Sequence, residues 1–180
     1  MSKIVVINGS PRKHGNTARM IAAFREKAEA NGNEVVEFNA ALSNVGGCHA
    51  CETCFKTGKA CTYDDDFNTI APDLLDADGI VFACPTYWYS FPGQIKNVID
   101  KMYSFFIGQK DMAGKKTALI ACCEEGELEV MDGISLPYDR IVALQKWEPV
   151  GKVLVTGVLE EGAVDKTDGC AQAAALAEQF

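Results

Sequence analysis

The sequence predicts an α/β protein of one domain, residues 1–180, in which helices cover both faces of a five-stranded parallel sheet in a doubly wound three-layer α/β/α sandwich. Three observations predict it. Five short apolar runs rich in Val and Ile alternate with segments of helical period. The first strand, helix and second strand fit within one βαβ unit, so those strands are parallel and the crossover right-handed. The 180 residues are 48% hydrophobic, which suits one continuous core, and neither a linker nor a repeat interrupts them.

Ile4, Val5, Val6 and Ile7 have the length and β-branching of a strand buried on both faces. The turn from Asn8 to Thr17 follows, and it has the composition of an anion cradle. Ser10, Asn16 and Thr17 are short polar side chains beside N–H groups that the next helix cannot pair internally, and Arg12 adds a fork of charged donors. It is not an ATP-binding P-loop, because five residues separate Gly9 from Gly15 and Asn16 stands where that motif requires lysine. The plain alternative is a strand-to-helix turn that needs Gly, Pro and Asn for geometry alone.

Met20, Ile21, Phe24 and Ala28 recur at helical spacing, and Asn31-Gly32 ends that helix. Glu34–Asn39 is the second strand. A cysteine-rich insertion, residues 46–63, then carries Cys48-x-x-Cys51-x-x-Cys54-x(6)-Cys61. Three thiols at this spacing plus a fourth can converge as the ligands of an iron–sulfur cube do. Structural zinc, which favours two separated pairs, and unmetallated thiols or a labile disulfide are the alternatives. His49 reads as a loop residue. Asp64-Asp65-Asp66 reads as a solvated start to a helix carrying Phe67, Ile70 and Leu74.

Gly79–Cys84 is the third strand, and it ends in Pro85-Thr86-Tyr87-Trp88-Tyr89-Ser90-Phe91-Pro92-Gly93, where four aromatics exceed what a turn needs. The next helix buries Ile95, Val98, Ile99, Met102 and either Phe105 or Phe106. Thr117–Cys122 is the fourth strand, followed by an acidic loop from Glu124-Glu125-Gly126 to about Ser135. A helix is expected to begin near Pro137. Val153–Val158 is the fifth strand, and Ala171–Phe180 a closing helix. Cys84, Cys122, Cys123 and Cys170 read as packing residues without chemistry of their own.

In the flavodoxin-like order 2-1-3-4-5 the sheet's growth reverses between strands one and three, and ligands sit in the crevice at their carboxyl ends; flavodoxin is itself an example of this rule. The anion cradle and the aromatic loop both lie at that crevice. A ligand with a phosphate at one end and a planar ring at the other fits both.

The formal net charge of −8 argues against nucleic acid or an anionic membrane as partner. No basic segment followed by an apolar stretch opens the chain, and no apolar run approaches the roughly 18 residues of a membrane span, so the expected location is cytoplasmic.

Ile7-Asn8-Gly9-Ser10-Pro11-Arg12, Gly15-Asn16-Thr17, Pro85-Thr86-Tyr87-Trp88, Gly93-Gln94-Ile95-Lys96 and Asp100 resemble the NADPH-dependent FMN reductase family. The cysteine block, with Lys56-Thr57-Gly58-Lys59 inside it and Asp64-Asp65 after it, resembles the family's iron–sulfur flavoprotein branch. The resemblance covers roughly residues 3 to 125 and implies a flavodoxin-like fold binding FMN. Ser10, Arg12, Asn16 and Thr17 would bind the phosphate. Pro85, Thr86, Tyr87 and Trp88 would line the ring's edge and face, and Cys122, Cys123, Glu124 and Gly126 would pass its other side. Cys48, Cys51, Cys54 and Cys61 would hold a [4Fe–4S] cluster. Relatives with this block form dimers, so a homodimer or homotetramer is expected.

The expected activity is that of a redox flavoprotein passing electrons between NAD(P)H or an electron-carrier protein and a small-molecule acceptor. No acid–base residue is assigned. The alternatives are an NAD(P)H:FMN or quinone reductase without a cluster and, from another class, a non-catalytic zinc-binding interaction module.

Overall fold

The computed structural model describes residues 1–180. The strands are β1 (Lys3–Asn8), β2 (Glu34–Asn39), β3 (Gly79–Pro85), β4 (Lys116–Cys122) and β5 (Glu148–Val155). The helices are α1 (Asn16–Ala30), α2 (Phe67–Asp76), α3 (Gly93–Lys101), α4 (Tyr103–Ile107), α5 (Asp132–Gln145) and α6 (Gly169–Leu176). All strand pairs are parallel, in the order β2-β1-β3-β4-β5 that the sequence predicts.

Side chains of a strand alternate between faces, and the core divides accordingly. Val5, Ile7, Ile80 and Phe82 pack one face of the sheet with Phe67, Leu74, Ile95, Val98 and Tyr138. Ile4, Val6, Val81, Ala118 and Ile120 pack the other with Met20, Phe24, Ala28, Ala173 and Leu176. Each buried Ile, Leu or Phe contributes about 1.5–3 kcal/mol, so the two layers, rather than any cross-link, hold the sheet. At the end of α1, Gly32 takes φ +85°, which turns the chain into β2.

Four expectations are corrected. The fifth strand spans 148–155 rather than 153–158, because a register shift opposite Thr117/Ala118 passes over Val150 and lets Pro149 sit in an edge strand. The helix expected near Pro137 starts at Asp132, after a 3-10 turn over Leu128–Met131; Pro137 lies inside α5, and the acidic loop is correspondingly short. The helix after the aromatic loop breaks at Met102, and the break buries Phe105 while leaving Phe106 exposed. Asp65 and Asp66 are not a solvated helix start; their carboxylates hold the cysteine loop, as described below.

Candidate functional site

A cavity of about 450 Å³ opens at the carboxyl ends of β1, β3 and β4. The first loop contributes Ser10, Arg12, Gly15, Asn16 and Thr17, and the loop after β3 contributes Pro85, Thr86, Tyr87, Trp88 and Tyr89. Cys122, Cys123, Glu124 and Glu125 enter from the end of β4. Every residue that the family resemblance implies at a flavin site lines this one cavity except Gly126. Val158 and Leu159, beyond β5, line it too, and no local motif marks them. The first loop reaches this position because Gly9 lacks a side chain: a Cβ there would stand 2.8 Å from Cys84 Cβ.

At the cradle end, the Ser10 N–H donates to Asn8 Oδ1 at 2.8 Å and the Arg12 N–H to Ser10 Oγ at 3.3 Å, which leaves the Ser10 hydroxyl proton free to donate outward. In α1 the first N–H paired to a backbone carbonyl is that of Arg19, to Gly15 at 3.1 Å. The N–H groups of Asn16, Thr17 and Ala18 therefore remain at the positive end of the helix, as an anion site requires.

The structure gives the side chain of Asn16 a different task from the phosphate contact expected of it. Its amide donates to the carbonyls of Val158 (3.2 Å) and Glu160 (3.0 Å), and its Oδ1 accepts from the Val164 N–H (3.2 Å). Asn16 thus ties the segment after β5 to the cradle and brings Val158 and Leu159 to the cavity. Thr17, buried, lies 3.5 Å from Cys122 Sγ.

At the other end, Tyr87 and Ser90 exchange backbone hydrogen bonds of 3.0 and 3.1 Å across a two-residue turn in which Trp88 and Tyr89 have φ of +48° and +64°. Asn-Gly is the usual occupant of such a turn, and two bulky aromatics there are under backbone strain of the kind that gathers at functional sites. Trp88 is 95% exposed. Phe91, unlike its exposed neighbours Tyr87, Trp88 and Tyr89, packs into the core against Phe82.

Charge divides the cavity, with Arg12 at the cradle and Glu124 and Glu125 beside the end of β4. Burial pushes the Cys122 thiol up, against the pull of its bond with Thr17, and burial with the Glu125 carboxylate pushes Cys123 up. Cys84 is raised further by complete burial. All three are neutral packing groups at pH 7.

Cys48, Cys51, Cys54 and Cys61 line a second, small cavity of about 20 Å³, bordered by Lys101, Tyr103 and Ser104 from the α3–α4 junction. No three of the thiols surround a single point at the distances one metal ion needs, and none forms a disulfide. Ala50, Glu52 and Phe55 take φ of +51°, +52° and +61°. None of the N–H groups from Gly47 to Cys54 donates to a backbone carbonyl. Burial raises the Cys54 thiol, with further contributions from Cys51, Cys61 and Cys48, whereas a 3.0 Å contact with Thr53 lowers Cys51. His49 stacks on Tyr63.

The acidic triplet anchors this loop. Asp65 accepts from the N–H groups of Gly46 (2.8 Å) and Phe67 (3.1 Å) and from Lys101 Nζ, and Asp66 accepts from the Asn44 N–H at 2.7 Å. Both carboxylates thus fasten the entry to the insertion onto the start of α2.

The model of the NADPH-dependent FMN reductase family matches residues 2–132, a span that takes in the cradle, the cysteine block, the aromatic turn and the end of β4. The chain belongs to that family. It is a flavin-dependent oxidoreductase by that membership. An iron–sulfur flavoprotein of Archaeoglobus fulgidus is 27% identical over 99% of this chain and 80% of its own length. One of Methanosarcina thermophila is 35% identical over 63% of this chain and 58% of its own length. Among solved structures, an NAD(P)H:quinone oxidoreductase from Methanothermobacter marburgensis superposes with a TM-score of 0.78 at 13% identity, covering 98% of this chain and 94% of that one. An FMN-dependent NADH-azoreductase from Bacillus anthracis, solved with FMN, gives 0.75 at 15% identity, covering 99% of both. The two structures support the flavodoxin-like fold. No helix is long and apolar enough to cross a membrane.

Proposed function

We propose that the 450 Å³ cavity holds FMN, that Cys48, Cys51, Cys54 and Cys61 hold an iron–sulfur cluster, and that the chain moves electrons between NAD(P)H or an electron-carrier protein and a small acceptor. One observation carries the reading: a single cavity has unpaired N–H donors and Arg12 at one end and a strained aromatic turn at the other. Phosphate and ring have separate places in it.

FMN, when bound, supplies hydride and single-electron chemistry, and the protein supplies position, water exclusion and charge. The free N–H groups at the start of α1, the Ser10 and Thr17 hydroxyls and Arg12 would hold the phosphate. Pro85 to Trp88 would border the ring on one side and Cys122 to Glu125 on the other. Asn16 acts at one remove, by holding Val158 and Leu159 in the wall.

The cysteine site fits a cluster by the chemistry of its donors. Four thiols border one cavity, a row of N–H groups without backbone acceptors runs alongside, and a buried hydroxyl and a buried ammonium close its floor. A multi-iron cluster spaces its thiolates more widely than the roughly 2.3 Å Zn–S bonds of one ion do. Seating it requires the exposed stretch 48–52 to give way outward. A homodimer or dimer of dimers would cover the exposed Trp88.

The test is the visible spectrum of the protein purified without oxygen, with iron and sulfide analysis and anaerobic addition of NADPH. Brown protein with iron, sulfide and FMN that bleaches on reduction is the expected result. Yellow protein without iron overturns the cluster assignment, and protein that takes up no flavin overturns the cavity assignment.

A further inference from the structure

We propose that Ser104 and Lys101, one helical turn apart at the α3–α4 junction, are the hydrogen-bond donor and the fixed positive charge that serve the cysteine sulfurs, and that they raise the affinity of the group held there for an electron. This rests on the reading of Cys48, Cys51, Cys54 and Cys61 as iron–sulfur ligands.

Ser104 is 3% exposed, and its hydroxyl oxygen is sealed from solvent without any hydrogen-bond partner. Buried helical serines ordinarily bond back to a carbonyl one turn earlier, and this one does not. An unpartnered buried hydroxyl is destabilising, because it has lost its hydrogen bonds to water without gaining others. Ser104 lines the cysteine cavity, where a sulfur acceptor would relieve that cost. The Lys101 side chain is 2% exposed and lines the same cavity. Its ammonium carries three N–H donors, and the structure engages it with Asp65 alone. Asp65 is meanwhile committed to the Gly46 and Phe67 N–H groups, so the cation is held in place while part of its donor capacity is unspent.

One-electron reduction of a thiolate-held cluster adds one negative charge, breaks no bond and needs no proton. A hydrogen bond to sulfur and a nearby cation both favour the more negative state, most strongly where burial excludes water. Both therefore shift the couple upward. The Asp65 charge offsets part of the Lys101 field, which makes Ser104 the cleaner residue to test.

The experiment is a dithionite titration, followed by electron paramagnetic resonance, of the whole chain reconstituted anaerobically with iron and sulfide, comparing the unmodified protein with Ser104→Ala and Ser104→Thr. Ser104→Ala should bind the same iron and sulfide at a lower midpoint potential, and Ser104→Thr, which keeps the hydroxyl, should restore the original value. In the cluster-free protein, Ser104→Ala should leave the melting temperature unchanged or raised, because it removes an unsatisfied polar group. Equal iron with an unchanged or higher potential in Ser104→Ala overturns the proposal and leaves the cluster assignment standing. Failure of the unmodified protein to take up iron and sulfide overturns both.

Discussion

The backbone carbonyl of Tyr89 lies against Gly133, so close that a Cβ at position 133 would stand 2.0 Å from the Tyr89 oxygen. The strained aromatic turn thus rests on the first turn of α5, and only a residue without a side chain permits the contact.

In most helices Gly→Ala gains about 1 kcal/mol from propensity. Here Gly133→Ala should act with the opposite sign, costing about 1–3 kcal/mol as overpacking does, or else displacing the Trp88–Tyr89 turn. Thermal unfolding and an FMN fluorescence titration check it. A lower melting temperature or roughly tenfold weaker FMN binding, about 1.4 kcal/mol, is expected. An Ala variant with unchanged stability and affinity would show that the turn does not depend on this contact.

Asn16 separates positioning from ligand contact. Asn16→Ala removes three hydrogen bonds and strands the buried N–H of Val164, so flavin-free protein should lose about 2–4 kcal/mol, a melting point lower by about 5–10 °C for a chain of this size. If Asn16→Ala weakened FMN binding while leaving the flavin-free protein as stable as before, its side chain would belong to the phosphate site after all.

Much of this architecture was legible in the sequence, and the failures share a cause. β1, β3 and the faces of α1 and α3 are buried through local apolar pattern, and Ile4–Ile7 or Ile95-Val98-Ile99 announce it directly. β5 carries Glu148, Pro149 and Gly151 on an exposed edge, so its first half has no apolar signature. The task of Asn16 depends on partners 142 to 148 positions away, and that of Asp65 on Lys101, 36 positions on. A glycine turn marks the first loop and an aromatic run the loop after β3, whereas Cys122, Cys123 and Glu124 at the end of β4 are implied by the family resemblance alone. Val158 and Leu159 were missed because a distant side chain, not their own sequence, puts them there.

Asp65 and Lys101 form a nearly fully buried ion pair, with side-chain exposures of 11% and 2%. Removing one partner of such a pair leaves the other charge uncompensated, which costs about 3–5 kcal/mol. Asp65→Ala should therefore destabilise the protein by that order and free the start of the cysteine loop, seen as faster hydrogen exchange at Gly46. Urea unfolding with a cost below 1 kcal/mol would mean that the pair contributes little to holding the loop.

Glu124 and Glu125 line the cavity next to the end of β4. Two-electron reduction at neutral pH leaves the flavin anionic, and nearby carboxylates disfavour that state. Changing both to Gln should raise the flavin potential in an anaerobic spectroelectrochemical titration at low ionic strength, with the difference shrinking as salt screens the exposed Glu124. A downward shift, or none, would place the carboxylates away from the ring.

The most direct test of the cavity as an FMN site is the affinity of flavin-free protein for FMN relative to riboflavin, in the original chain and in Arg12→Ala/Thr17→Ala. FMN should bind more tightly than riboflavin by at least a hundredfold, about 2.7 kcal/mol, because only FMN carries the phosphate that the cradle fits. The double variant should lose most of that preference while its riboflavin affinity changes little. Equal affinity of the original chain for the two flavins, or an undiminished preference in the double variant, would contradict the assignment of this loop.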